Sequence, residues 1–151
     1  MHKVLAIINE NTSETIASSR KGGEREIGAQ HREIAARVRR IRELASDGKV
    51  VLTEHAQQRK ESRDITQESA CNAISSGLIS YEPDDDMFSV VCLTPKPLYA
   101  VFRHIEGEDE HLMIITVAKA CESKIYFYHS VASGKKYGRQ PDGSMPIIVK
   151  G

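Results

Sequence analysis

Apolar residues recur along this chain with two different periods, and the change falls at Gly77. Before it the period is that of a helix. Between Glu24 and Ser46, the residues Ile27, Ile34, Val38, Ile41 and Ala45 are spaced by seven, four, three and four. That is one stripe of an amphipathic helix. Arg25, Arg32, Arg39 and Arg40 fall roughly opposite the stripe at about 100° per residue. Gly28 weakens the first turn and lets the helix begin after it. Asp47-Gly48 carries a glycine stop signal. Thr53 is placed to cap a short helix over Glu54–Glu61, with Glu54 favourable in its first turn. Arg63-Asp64 is the break. Thr66 caps a further helix that carries Ala70, Ala73 and Ile74 on one side and ends at Gly77. Ile65 and Ala70 are spaced for a hydrophobic staple at its start.

After Gly77 the period becomes two. Leu78–Tyr81, Met87–Leu93, Leu98–Ile105, Leu112–Ala118 and Lys124–Val131 read as strands. The connections are short and polar: Glu82-Pro83-Asp84-Asp85-Asp86, Thr94-Pro95-Lys96-Pro97 and Glu106–Glu110. Such loops favour an antiparallel meander. Val90-Val91 and Met113-Ile114-Ile115 break the alternation, so the middle strands should be covered on both faces. Lys49–Leu52 is a short strand or the start of the helix that follows. Residues 3–8 read as a strand and 9–23 as a polar loop. The run Pro146–Val149 either pairs with Val4–Ile8 or packs along an edge. The expected fold is α+β: N-terminal helices packed on a four- to six-stranded antiparallel sheet. Residues 1–23 form an N-terminal strand and linker, 24–120 the main α+β unit, and 121–151 a C-terminal strand and basic tail of the same domain.

Composition narrows the classes. The chain has 151 residues, 40% of them apolar and 5% aromatic, enough for one domain with a mainly aliphatic core. Lys and Arg number 21 and Asp and Glu number 21, so the formal net charge is zero. That balance argues against a uniformly basic nucleic-acid binder and against a disordered polyelectrolyte. The charge is unevenly spread: residues 20–63 carry twelve basic against seven acidic groups, residues 64–122 three against eleven, and residues 123–151 five against one. Either the segments neutralise one another in the fold, or the basic ones line a groove for a polyanion. No apolar run approaches the roughly 18 residues of a membrane span. No signal-peptide pattern follows Val4–Ile8. Cys71, Cys92 and Cys121 are odd in number and widely separated, which suits reduced thiols in a cytoplasmic protein.

The most specific local pattern is T-E-H-A-Q-Q-R-K-E-S-R-D-I-T. His55, Arg59 and Arg63 stand at i, i+4 and i+8 and share one helical face. Three such groups in line repel one another unless an anion sits nearby. Glu54, Glu61, Asp64 or acidic residues of the sheet supply it, or the row binds phosphate, with Arg as bidentate donor and His as a proton carrier near neutral pH. No P-loop or GxGxxG occurs. Asp84-Asp85-Asp86 lacks the alternation of a calcium loop and reads as a solvated turn. The histidines lack zinc-ligand spacing with cysteine. No metal site and no cofactor are called for.

With its H-x₃-R-x₃-R-x-I-T run, the short helix ending in glycine, the acidic turn and the antiparallel sheet, the chain resembles a family of small bacterial domains grouped with the RelE/ParE-type toxin superfamily. The RELASDGKV phrase and the helix before it are similar to the MqsR-type mRNA interferases. The resemblance covers roughly Ile34–Ala120. It implies a RelE-like fold and, in active members, metal-independent cleavage of RNA, often mRNA on the ribosome. It also implies an antitoxin-like protein partner. Such cleavage needs a base for the ribose 2′-OH, cations for the phosphorane-like transition state and an acid for the leaving 5′-oxygen. On that footing His55 or His104 would be the acid/base. Arg59, Arg63 and Arg103 would hold phosphate and stabilise the transition state, with Lys119 assisting and Tyr99 on the same strand face as Arg103. A groove results if Arg103 and Tyr99 look toward the helix of His55 and Arg59. The acidic sheet opposes RNA unless its carboxylates sit away from that groove. The other readings are a catalytically inactive RelE-like module that engages a protein partner or RNA, a homodimer joined through the complementary charges, and an accessory protein whose terminal segments carry the specificity.

Overall fold

The helices α1 (Gly22–Ser46), α2 (Glu54–Ser62) and α3 (Gln67–Ser76) come early, with one short strand before α1 and one between α1 and α2, and the other described strands follow α3. The computed structural model describes residues 6–9, 22–92, 97–119 and 147–150. The strands are β1 (Ala6–Asn9), β2 (Val50–Leu52), β3 (Leu78–Glu82), β4 (Met87–Cys92), β5 (Leu98–Ile105), β6 (His111–Ala118) and β7 (Ile147–Lys150). They form one sheet in the order β1-β7-β3-β4-β5-β6-β2. The pairs from β7 through β3, β4 and β5 to β6 are antiparallel, while β1 on β7 and β2 on β6 are parallel. The chain is therefore α+β with helices packed on a mostly antiparallel sheet, as its pattern predicts. The sheet is wider than four to six strands because the three residues of β2 add an edge. The expected strand Lys124–Val131 lies outside the described residues.

Each helix stops for a reason that can be named. At the end of α1, Lys49 N–H bonds the Leu44 carbonyl at 2.9 Å and Gly48 N–H the Ala45 carbonyl at 3.1 Å. Gly48 has φ +73°, the left-handed turn that glycine adopts without a Cβ clash. α2 ends in the same way without glycine: Ile65 N–H bonds Lys60 O at 2.9 Å, and Asp64 sits at φ +55°. Gly77 ends α3 differently. Its backbone is extended, with φ −80° and ψ 179°, so positive φ is not what requires glycine there. A Cβ would lie 2.6 Å from Ala73 O, 2.6 Å from Val90 Cγ2 and 2.9 Å from Val91 O. The missing side chain lets the helix end press onto β4. Gly28 does not delay α1, which begins at Gly22.

One face of the sheet carries the core. Ile8, Ile79, Val90, Phe88, Ala100, Phe102, Leu112, Ile114 and Val117 are buried with Ile34, Val38, Ile41 and Leu44 of α1 and Ala70, Ala73 and Ile74 of α3. Ile65 packs against this cluster. At about 25 cal/mol per Å² of apolar surface removed from water, such burial is the main favourable term. The second face is divided. Ser80, Ser89, Val91 and Ile148 are buried, and the Ser80 and Ser89 hydroxyls satisfy each other at 2.6 Å. Toward β5, β6 and β2 the same face opens: Val101 and Met113 are half-buried, and Arg103 and Val51 are exposed.

β6 contains a bulge. Val101 pairs with Thr116 but Phe102 pairs with Ile114, which leaves Ile115 as the extra residue. A bulge reverses which backbone groups face each edge. Before it, Ile114 O accepts Thr53 N–H at 3.0 Å; after it, Val117 O accepts from Arg63. α2 thus lies along the outer edge of β6 where β2 stops.

Candidate functional site

The structure gathers the charged residues into two groups. The first joins α1 to the acidic turns. Arg37 donates from Nη1 to Asp86 Oδ1 at 2.8 Å, and Tyr81 donates its hydroxyl to the same oxygen at 2.8 Å. The Arg37 guanidinium lies 5.0 Å from the Phe88 ring centroid and 5.7 Å from that of Tyr81, within cation–π range. Asp86 has φ +50°, which Asp tolerates better than most residues. Arg40 donates from Nε to Glu110 Oε1 at 2.8 Å and from Nη1 to Glu43 Oε1 at 3.0 Å.

His104 sits inside this group. It is 7% exposed, on the core face with Ala100 and Phe102. Its Nδ1 takes the Nε–H of Arg37 at 3.5 Å and its Nε2 lies 2.6 Å from Glu110 Oε2. A guanidinium only donates, so Nδ1 must be the acceptor and Nε2–H the donor to Glu110. Both ring nitrogens are engaged within the fold. Arg37 hydrogen bonding, aided by Tyr81, holds the Asp86 carboxyl below its usual range. The His104 and Arg40 hydrogen bonds do the same for Glu110. Burial raises the Tyr81 phenol, and its bond to Asp86 adds to the effect. Arg37 and Arg40 of α1 thus pair with one carboxylate of each acidic turn, Asp86 and Glu110.

The second group follows α2. Thr53 Oγ1 accepts Ala56 N–H at 3.1 Å and donates to Ile115 O at 3.2 Å, which fixes where the helix starts. Only Ala56 of α2 is buried. His55 and Arg59 are exposed, and Arg59 donates its Nε–H to His55 Nε2 at 3.4 Å. Arg63, half-buried, donates from Nη1 to Val117 O at 2.9 Å. Lys119 follows two residues later, exposed at the end of β6, and Tyr99 pairs with Ala118 beside it. Among the described residues, none of Arg59, Arg63 and Lys119 has a carboxylate within ion-pair distance.

The candidates read from the sequence therefore divide. His55, Arg59, Arg63 and Lys119 lie along one edge, with Tyr99 near its end. Arg103 and His104 point to opposite faces, as their adjacency requires. Arg103 is exposed on the open face opposite Met113, which pairs in turn with Val51. Its backbone is two strand spacings, about 10 Å, from β2, and its charge helps lower Asp86. His104 is turned into the core-side group. Sequence reasoning missed the partners of His104, although its alternation with Ala100 and Phe102 signals the buried face. It also missed Thr53 as the residue that ties α2 to β6.

No cluster of three His, Cys, Asp or Glu side chains among the described residues is placed to hold a metal ion. No helix of the described residues is long and apolar enough to cross a membrane. No protein-family model, curated protein or solved structure matches the chain.

Proposed function

We propose that this chain is a toxin-like, metal-independent endoribonuclease of the cytoplasm with a RelE-like fold, acting on RNA along α2 and the open face of β5 and β6. The observation that carries the reading is the contrast between the two groups of cations. Arg37 and Arg40 of α1 are held by Asp86, Glu110 and Glu43. His55, Arg59, Arg63 and Lys119 have no such partner among the described residues. Asp86 and Glu110, two of the carboxylates that oppose RNA, are paired with α1 and not with the α2 row, which favours a polyanion along that row.

His55 is the acid/base of this proposal. Its Nε2 accepts from Arg59, so its lone pair is present in the resting arrangement. A phosphate that takes the Nε–H of Arg59 releases that lone pair toward a ribose 2′-OH. Attack of the 2′-oxygen on phosphorus breaks the P–O5′ bond and leaves a 2′,3′-cyclic phosphate; the departing 5′-oxygen takes a proton from water to become a hydroxyl, and His55 returns its own proton to solvent. Arg59, with Arg103 from the open face, stabilises the charge of the transition state. Arg63, Lys119 and Tyr99 position the flanking chain. The test is incubation of the purified chain with RNA in EDTA. Cleavage to cyclic-phosphate ends, lost in His55→Ala/Arg59→Ala, is expected. No cleavage of free or ribosome-bound RNA, or cleavage unchanged in that variant, overturns the proposal.

A second reading, a catalytically silent module that engages a protein partner, is favoured by one observation. Val51 is 49% exposed beside half-buried Met113 on the open face. It calls for a partner-dependent rise in melting temperature without nuclease activity.

A further inference from the structure

The α2 row has a direction, and its cations and acids lie on different sides of the helix. Residues four apart on a helix rise about 6 Å, so His55, Arg59 and Arg63 span about 12 Å along the edge of β6. Taking about 100° per residue, Arg59 lies about 40° and Arg63 about 80° round from His55. Glu54 and Glu61 lie on the other side, about 140° and 160° from Arg59. Lys60 lies between the two sides, about 100° from Arg59 and from Glu61, so the cations run from His55 round to Lys60 and the acids Glu54 and Glu61 lie opposite Arg59. Arg63 is fixed by Val117 O through one Nη1–H, and its remaining N–H groups are left for an anion. Lys119 continues the row past the helix.

We infer that α2 and the end of β6 form a track for consecutive phosphates of one unpaired nucleic-acid strand, and that this track rejects duplexes. The inference rests on the reading of α2 as the RNA-binding edge and adds the strandedness of its ligand. A helix lying in a duplex groove has phosphates on both sides. Here the second backbone would meet Glu54 and Glu61. A single strand meets the row of Arg59, Arg63 and Lys119 without crossing to the acidic side.

The test uses the full chain, EDTA, and a fluorescent oligothymidylate of about twelve nucleotides, which has no 2′-OH and so reports binding alone. Three charges on a single strand give a slope of log K against log salt of about −2. Arg59→Ala should reduce that slope by about 0.7. Arg63→Gln should do the same while keeping a donor for Val117 O, and circular dichroism checks its fold. Arg40→Ala, in the group neutralised by acids, should leave the slope as it is. A duplex of equal length should bind at least tenfold more weakly. Equal or tighter duplex binding, a slope unaltered in both α2 variants, or no binding at low salt would overturn the track. Binding as expected without RNA cleavage would overturn the enzymatic reading and leave the track standing. Cleavage with slopes unaltered would do the reverse.

Discussion

Arg37 and Asp86 meet at 2.8 Å across 49 residues of chain, and their contact ties the middle of α1 to the β3–β4 turn. The guanidinium also lies over Phe88 and reaches His104. One side chain therefore supplies an ion pair, a ring contact and a part-buried hydrogen bond, and is itself 14% exposed. Arg37→Ala removes all three, leaves the His104 Nδ1 without its donor and leaves Asp86 with the Tyr81 hydroxyl alone. The expected loss is about 2 kcal/mol. Urea unfolding at neutral pH measures it, and a loss below about 0.5 kcal/mol would contradict the account.

Acid should weaken the same end of the sheet. Asp86 is held low chiefly by the Arg37 hydrogen bond, and Glu110 by those of His104 and Arg40. A carboxyl whose folded pKa lies below its unfolded value stabilises the fold above the unfolded pKa, and that contribution is lost as pH falls through the folded one. Melting temperature should therefore fall below about pH 4, the ordinary carboxylate range. Asp86→Asn with Glu110→Gln should lower stability at pH 7 and flatten the acid limb. An acid limb as steep as in the parent would count against these contacts.

Gly77 offers a sharper test of packing. Gly77→Ala puts a methyl group within 3 Å of two backbone oxygens and a Val90 methyl. Backbone cannot yield as a long side chain does, so α3 must shift off β4. Overpacking of this kind costs about 1–3 kcal/mol. Were glycine needed only as a helix terminator, the extended φ of −80° would accept alanine at no cost. Thermal unfolding separates the two accounts.

Local signals made most of the fold legible. Thr53 and Thr66 each cap through their own hydroxyl, accepting from Ala56 and Ser69, and the change from helical to alternating period marks where the sheet begins. What local pattern does not settle is pairing between distant segments. Pairing of Pro146–Val149 with Val4–Ile8 is one of the two readings the pattern allows, and β1 does pair with β7, but the parallel sense of the pair is not in the pattern; β2, with three residues, is too short for periodicity to declare. Gly77 was legible as a stop but not for its cause, because the cause is Val90, thirteen residues away. The site divides in the same way. His55, Arg59 and Arg63 follow from spacing on one helix. The partners of His104 come from Arg37, 67 residues away, and from Glu110 beyond a turn, and nothing in the local sequence names Arg37.

Asp64 should be improvable. It occupies the left-handed position at φ +55° that ends α2, where an L-residue costs about 1 kcal/mol relative to glycine. Asp64→Gly should raise stability by about 0.5 kcal/mol once the added freedom of the unfolded chain is deducted. A fall in melting temperature would mean that the Asp64 side chain contributes more than its backbone strain removes.

The two histidines of interest should separate stability from activity. His104 has both ring nitrogens committed, to Arg37 and Glu110, and is 7% exposed. His104→Phe keeps the volume but leaves the Glu110 carboxylate short of a donor and the Arg37 Nε–H short of an acceptor. Unfolding should occur about 1–3 kcal/mol more easily. Cleavage of RNA per folded molecule should stay within about twofold, because no atom of that ring reaches the open face. His55 is the opposite case. It is exposed, and among the described residues its hydrogen-bond partner is Arg59, so His55→Ala should alter stability by less than about 0.5 kcal/mol and reduce cleavage by about 10²-fold or more. Assays at a temperature where both variants are fully folded make the comparison direct. If His104→Phe abolished cleavage while His55→Ala retained it, the acid/base role would belong to the core side of the sheet, and the α2 edge would have no part in the chemistry.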